Sequence, residues 1–143
     1  MLALSYSFQR SRFLDGDSAS ALLGFDESPD FRRVANSPEH LASVKGALPV
    51  LGRALTLASR LSLESGRYDR NEEVGAEAQR KTDAFGVWDI VLTGREDRYG
   101  FSWAAGVYNA FDWRYSLPVS AELPQRTILQ DGRSFLLSAD LAF

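Results

Sequence analysis

Apolar and polar residues alternate along six stretches of the chain. In the first, Leu2, Leu4, Tyr6 and Phe8 share one face, and Ala3, Ser5, Ser7 and Gln9 share the other. The second, 40–48, is weaker: Ala42, Val44, Gly46 and Leu48 lie opposite Ser43 and Lys45. The third is the clearest. Leu55, Leu57, Leu61 and Leu63 face one way with Ser59, while Thr56, Ala58, Arg60, Ser62 and Glu64 face the other. The fourth, 82–93, is partly apolar on both sides: Trp88, Ile90 and Leu92 with Ala84 and Gly86, against Phe85, Val87, Asp89 and Val91. In the fifth, Phe101, Trp103, Ala105 and Val107 oppose Ser102, Ala104, Gly106 and Tyr108. The sixth, SFLLSADLAF at 134–143, sets Phe135, Leu137, Ala139, Leu141 and Phe143 against Ser134, Ser138, Asp140 and Ala142, with Leu136 the exception. A period of two predicts β-strands with one apolar face. The leucines of the third stretch also suit a helix, but strict alternation over 56–64 would spread polar residues around any helix, so a strand is expected.

The connections alternate in length. Long stretches at 15–39, 66–81 and 112–133 are separated by short ones at 49–52 (PVLG) and 94–98 (GREDR). In an up-and-down meander this places every long connection at one end and every short one at the other, as in outer-membrane barrels. The expected fold is all-β: an antiparallel up-and-down meander of about six strands forming a segment of a transmembrane β-barrel. Residues 1–143 form one unit, with no helix beyond a turn or two outside 15–33.

Two further patterns fit that picture. Tyr6, Phe8, Trp88, Tyr99, Phe101, Trp103, Phe111, Trp113, Tyr115, Phe135 and Phe143 fall near the ends of the stretches, where interfacial rings sit in such barrels, although strands favour aromatics anyway. Arg60, Glu64, Asp89 and Asp140 lie on the less apolar faces; a wet lumen accepts them, as does solvent, whereas a sheet buried on both sides does not. Leu55, Leu57, Leu61, Leu63, Val107, Leu137 and Leu141 are accordingly assigned to the lipid-type face.

Composition narrows the function. The net charge is −3, which gives no electrostatic case for nucleic acid. With no cysteine, disulfides and thiol chemistry are excluded. No apolar run approaches the roughly 20 residues of a membrane-spanning helix. Residues 1–13 alternate, with neither a basic start nor a continuous apolar core, and read as a strand rather than a signal peptide.

Candidate chemistry is sparse. His40, the single histidine, follows Pro38 and Glu39 and reads as a strand-start surface residue. Glu72, Glu73 and Glu77, mixed with Arg70, Arg80 and Lys81, read as a solvated loop rather than a calcium site. Asp112, Asp131 and the acids of REDR have no histidine or serine at a recognisable spacing. There is no Gly-x-Ser-x-Gly and no glycine-rich phosphate loop. No catalytic residue, cofactor or metal is expected, and no enzymatic activity.

Residues 107–119, VYNAFDWRYSLPV, resemble the Asn-Leu-Phe-Asp segment near the end of TonB-dependent outer-membrane receptors, with Ala110 in place of the usual leucine. DGRSF at 131–135 and the final stretch follow at the family's distance. NSPEHLASVKGALPV at 36–50 resembles the family's Asn-Ser-Pro-x-His stretch. The resemblance covers most of the chain, leaving 14–33 unmatched. It implies a plugged barrel of about twenty-two strands that imports a scarce ligand such as an iron chelate or vitamin, powered through TonB by an N-terminal motif. The six stretches then correspond to the last six strands, and the long connections to the last three extracellular loops.

The implied partners are outer-membrane lipid, the remaining strands and plug of the receptor, and the barrel-assembly machinery through the C-terminal strand. TonB is contacted only through N-terminal regions, and no nucleic acid is involved. The location is the outer membrane of a Gram-negative bacterium. Six strands cannot close a barrel whose smallest form has eight, so a C-terminal fragment, inactive on its own, is expected. Two alternatives remain. One is a small complete β-sheet or β-barrel protein that binds an apolar ligand, with SALLGF at 20–25 as its only candidate extra strand. The other is a barrel enzyme, for which His40 lacks a serine partner.

Overall fold

The structure, a computed structural model, describes residues 1–14, 31–52, 54–69, 80–119 and 122–142. Six strands form one antiparallel sheet: β1 (Leu2–Phe8), β4 (His40–Leu51), β5 (Leu55–Glu64), β6 (Phe85–Glu96), β7 (Phe101–Tyr108) and β10 (Ser134–Leu141). They lie side by side in sequence order, as a meander, with β1 and β10 at the two edges. The sheet is open; it does not close into a barrel. Two small hairpins stand on the long connections: β2 (Arg12–Leu14) with β3 (Phe31–Arg33), and β8 (Ser116–Pro118) with β9 (Thr127–Leu129). The described residues contain no helix. SALLGF and the acidic residues of 70–79 lie outside the described residues, as does Phe143.

Register makes the faces continuous. Leu4, Val44, Leu61 and Trp88 pair in one row across four strands. Leu48, Leu57, Leu92, Ala105 and Leu137 form another, and Leu2, Gly46, Ser59, Ile90, Val107 and Phe135 a third. The opposite face carries Ala3, Lys45, Arg60 and Asp89 in one row, Ser5, Ser43, Ser62 and Val87 in the next, and Thr56, Thr93, Ala104 and Ser138 further along. A slip of one residue would exchange every side chain between faces, so this agreement over six strands fixes the pairing. It places Leu55, Leu57, Leu61, Leu63, Val107, Leu137 and Leu141 on the apolar face, and Arg60, Glu64 and Asp140 on the polar one, as the alternation predicts.

Among the described residues nothing covers the apolar face. Among the described residues no hydrophobic side chain is buried, and Leu4 and Leu137 are 77% and 79% exposed. A sheet normally hides one face against a helix layer or a second sheet; here neither is present among the described residues.

Two boundaries differ from the sequence pattern. β4 runs on through Pro49 to Leu51, with a bulge between Pro49 and Leu51. Ala47 donates to the Met1 carbonyl at 2.9 Å, so the alternate position Pro49 turns its missing N–H toward the side where β1 has already ended. That is where a strand tolerates proline. The turn is then made around Gly52, at φ 56°. β6 likewise extends past Thr93 to Glu96, pairing Arg95 with Ser102 and Glu96 with Phe101. The turn falls at 97–100, where Gly100 takes φ 61°. Gly94 is required inside the strand: a Cβ there would come within 2.2 Å of the Trp103 indole nitrogen.

The sorting of connections survives these shifts. The stretches 9–39, 65–84 and 109–133 leave one end of the sheet, and the tight turns occupy the other. Rings pack at the long-connection end of the apolar face. Phe111 packs on Trp88, with centroids 5.1 Å apart, and Phe8 lies 5.1 Å from the His40 ring. Tyr115 departs from the expected girdle: it stacks on Phe85, at 3.9 Å and 14°, on the polar face.

Candidate functional site

The long-connection end is held by the segments that the sequence singles out. Asn36 adopts φ 56°, a conformation that asparagine tolerates better than most residues. Its N–H donates to the Tyr68 carbonyl at 2.8 Å, and its side-chain oxygen accepts from Arg67 Nη1 at 2.8 Å. Two residues further on Pro38 is buried, and its carbonyl accepts from Gln9 Nε2 at 3.2 Å. The backbone N–H groups of Glu39 and His40 both donate to Ser65 Oγ, at 3.0 and 3.1 Å. NSPEH therefore ties the end of β1 to the residues that follow β5. His40 itself opens β4, exposed, with Nδ1 2.9 Å from the Tyr6 hydroxyl. It is placed as a strand-start residue.

The second clasp joins the two segments near the end of the chain. Asn109, only 4% exposed and at φ 51°, makes two reciprocal amide bonds with the backbone of Trp113, both 2.9 Å. Its own N–H donates to Asp89 Oδ1 at 3.1 Å. Asp112, at φ 53°, accepts from the Arg133 N–H at 2.8 Å. A Cβ on Gly132 would lie 2.3 Å from that same carboxylate oxygen, so glycine is needed for the approach. NAFD and DGR are thus two halves of one contact. The Arg133 N–H, helped by the charges of Arg114 and Arg133, holds the Asp112 carboxyl below its ordinary range. Burial and the neighbouring Glu64 charge push the Tyr115 phenol up.

Between these clasps a cavity of about 630 Å³ opens toward the long-connection end, walled by residues 69 and 80–84 on one side and 113–116 and 126–127 on the other. Asp69, 5% exposed, lies at its base. It accepts from the Arg80 N–H at 2.8 Å and sits 3.8 Å from Arg126 Nη1, which links the two walls. Arg80, Lys81, Arg114 and Arg126 surround it, with Asp83 as the second acid and Trp113 as the exposed ring. A smaller hollow of about 440 Å³ lies on the polar face beside β1, between Lys45, Arg60, Asp89 and Tyr108.

No family model, curated protein or solved structure matches the chain.

Among the described residues no three of His, Asp and Glu are grouped to hold a metal. Asp112 is committed to backbone, and His40 faces Tyr6 and Phe8 rather than any nucleophile. Of the charged residues flagged in the solvated loop, Arg80 and Lys81 line the cavity; the others lie outside the described residues. Trp113 and Arg114 lie in the 107–119 segment that the sequence singles out, whereas Asp69 and Arg126 carry no linear signal, because two connections far apart in sequence bring them together.

Proposed function

We propose that the chain forms late strands of the barrel of a TonB-dependent outer-membrane receptor, which imports a scarce ligand such as an iron chelate or vitamin. The apolar face lies against outer-membrane lipid, the polar face lines the lumen, and the three long connections stand outside the cell. One observation carries this: the six-stranded sheet has a continuous apolar face with no layer over it among the described residues, and all its long connections lie at one end. Lipid needs no covering layer. The NSPEH and NAFD–DGR clasps support the family within that architecture.

The sheet alone transports nothing. β1 and β10 each present an unpaired edge, and unpaired N–H and C=O groups in hydrocarbon cost several kcal/mol each. Closure requires further strands, and β10 is the strand offered to the assembly machinery. The plug and the TonB contact belong to other parts of such a receptor.

The chain has no cysteine, so single introduced cysteines report cleanly. An environment-sensitive probe stepped along β5 in micelles is expected to meet a detergent-chain quencher at 55, 57, 61 and 63 and water at 56, 58, 60 and 62. Without detergent the chain is expected to aggregate, because its edges template pairing and its apolar face far exceeds the few hundred Å² that soluble monomers tolerate. A monodisperse, water-soluble monomer with dispersed amide signals would overturn the reading and favour a small protein that binds an apolar ligand.

A further inference from the structure

We propose that the chain, by itself in lipid or detergent, closes its sheet with a second copy of itself. β10 of each copy pairs antiparallel with β1 of the other, and two six-stranded sheets make a twelve-stranded barrel. This rests on the reading above in taking the apolar face to lie against lipid, and goes beyond it in naming what occupies the two open edges when no other strand is offered. Both edges are bare. β1 carries neither charge nor proline, and the one charge of β10 is Asp140. Edges meant for solvent are usually blunted by lysine, proline, a bulge or a covering loop; these two are left ready for pairing.

Register selects the seam. A continuous apolar face sets the even positions of β1 against the odd positions of β10. Leu2 opposite Leu141 and Phe8 opposite Phe135, with Leu4 and Tyr6 between, uses all of β1 and all of β10 but Ser134. The same positions point their N–H and C=O off the edges. The odd positions of β1 are turned to β4, since Ala47 donates to Met1 and Gln9 to Glu39; the even ones of β10 are turned to β7, since Ala142 donates to Gly100. Four pairs exchanging two bonds each give about eight hydrogen bonds per seam. The stagger also fits closure. Within one copy the row from Leu2 runs through Ser59 and Val107 to Phe135. Across the seam Leu2 meets Leu141, six positions further along β10. Six residues of rise over six strand spacings is a tilt of about 35°, and barrels close at roughly 35–45°.

Charge agrees. On the polar face Lys45 and Arg60 stand side by side, and Arg60 has an acid, Asp89, opposite it on the next strand. The other neighbour of Lys45 is Ala3. The seam sets Asp140 of the second copy opposite Ala3, about 10 Å from Lys45 across two strand spacings, within reach of a lysine leaning over an alanine. Neither Lys45 nor Asp140 has an ion pair among the described residues. Area agrees as well. Each edge is about 24 Å long and about 10 Å deep, so two seams cover roughly 1,000 Å², where specific interfaces begin. Two copies are the fewest that pass the eight strands of the smallest membrane barrel.

The test uses the full chain in zwitterionic micelles, with Ser5→Cys and Ser138→Cys in one molecule that has no cysteine of its own. The seam makes these two a non-hydrogen-bonded pair on the polar face, with Cα atoms about 4.5 Å apart, a span that a disulfide accepts. Sedimentation in density-matched micelles should give two copies per particle, and mild oxidation should stop at a covalent dimer. Each single-cysteine variant should stay unbridged, because β1 never meets β1. Moving the second cysteine from Ser138 to Leu136 shifts it diagonally and should cut bridging about tenfold. Leu137→Pro removes an N–H that points off the edge and none that β7 uses, so the fold stands and monomers are expected. Asp140→Lys should weaken the dimer, and adding Lys45→Asp should restore it. A monomer at every concentration, a ladder of open oligomers, or bridging as strong in the single variants overturns the proposal. No dimer alongside the probe alternation on β5 refutes the second copy and leaves the barrel reading standing. The same bridged dimer formed in water, without that alternation, does the reverse.

Discussion

Trp88 Nε1 donates a hydrogen bond to Ser59 Oγ at 2.7 Å, from one strand to the next. Ser59 lies in the row Gly46–Ser59–Ile90, at mid-height on the apolar face. The indole N–H beside it would be equally out of place in hydrocarbon. Each group satisfies the other, so the face remains apolar in effect despite two polar atoms.

Ser59→Ala should therefore destabilise the folded chain by about 1–3 kcal/mol, the cost of leaving a donor unpaired away from water. Adding Trp88→Phe should recover part of that loss. Urea titrations in micelles of both single variants and the double variant give the coupling; additive losses would show that the bond contributes nothing.

Leu61→Arg should cost about 2–4 kcal/mol in a closed barrel if its row lies near the membrane midplane. Thr56→Arg, on the polar face, should cost much less. Reversible folding into lipid vesicles measures both, and equal costs would contradict the assignment of faces.

Gly94→Val should cost about 1–3 kcal/mol through overpacking, because the new Cβ meets the Trp103 ring at 2.2–2.7 Å. The indole must swing off the sheet, and its emission should shift. Gly46→Ala is the control: its nearest neighbours are 3.6 Å away, an ordinary contact, so little change is expected.

The Asp112 contact should loosen in acid. Its folded carboxyl titrates below the ordinary value of 3.8, so the stabilisation is complete above that value and is lost as pH falls through the lower, folded one. Exchange protection of the Arg133 amide should fall over that window. In Asp112→Asn the protection should be weaker at neutral pH and should not change through it.

The strands were legible because the alternation is local and each face has one environment. Even the weak stretch at 40–48 takes its place, since Val44 and Gly46 fall in register with Leu61 and Ser59. Ends were misjudged where a residue that usually breaks strands has a particular excuse: Pro49 faces past the end of β1, and Gly94 lies beneath Trp103. The hairpins β2–β3 and β8–β9 escaped notice because three residues are too few for a period to show. The Asn36 and Asp112 motifs could be recognised as strings, but not as clasps, since Ser65, Arg67 and Arg133 come to them only through the sheet. The cavity had no linear trace, as Asp69 and Arg126 meet from separate connections.

An even number of strands has a topological consequence. β1 starts and β10 finishes at the tight-turn end, where Met1 pairs with Ala47 and Ala142 donates to Gly100. Both extremities of the sheet thus point the same way. Such a block can be spliced into, or excised from, an up-and-down meander without inverting the strands on either side. Inserted into such a meander, it would add six strands and preserve the polarity of the rest.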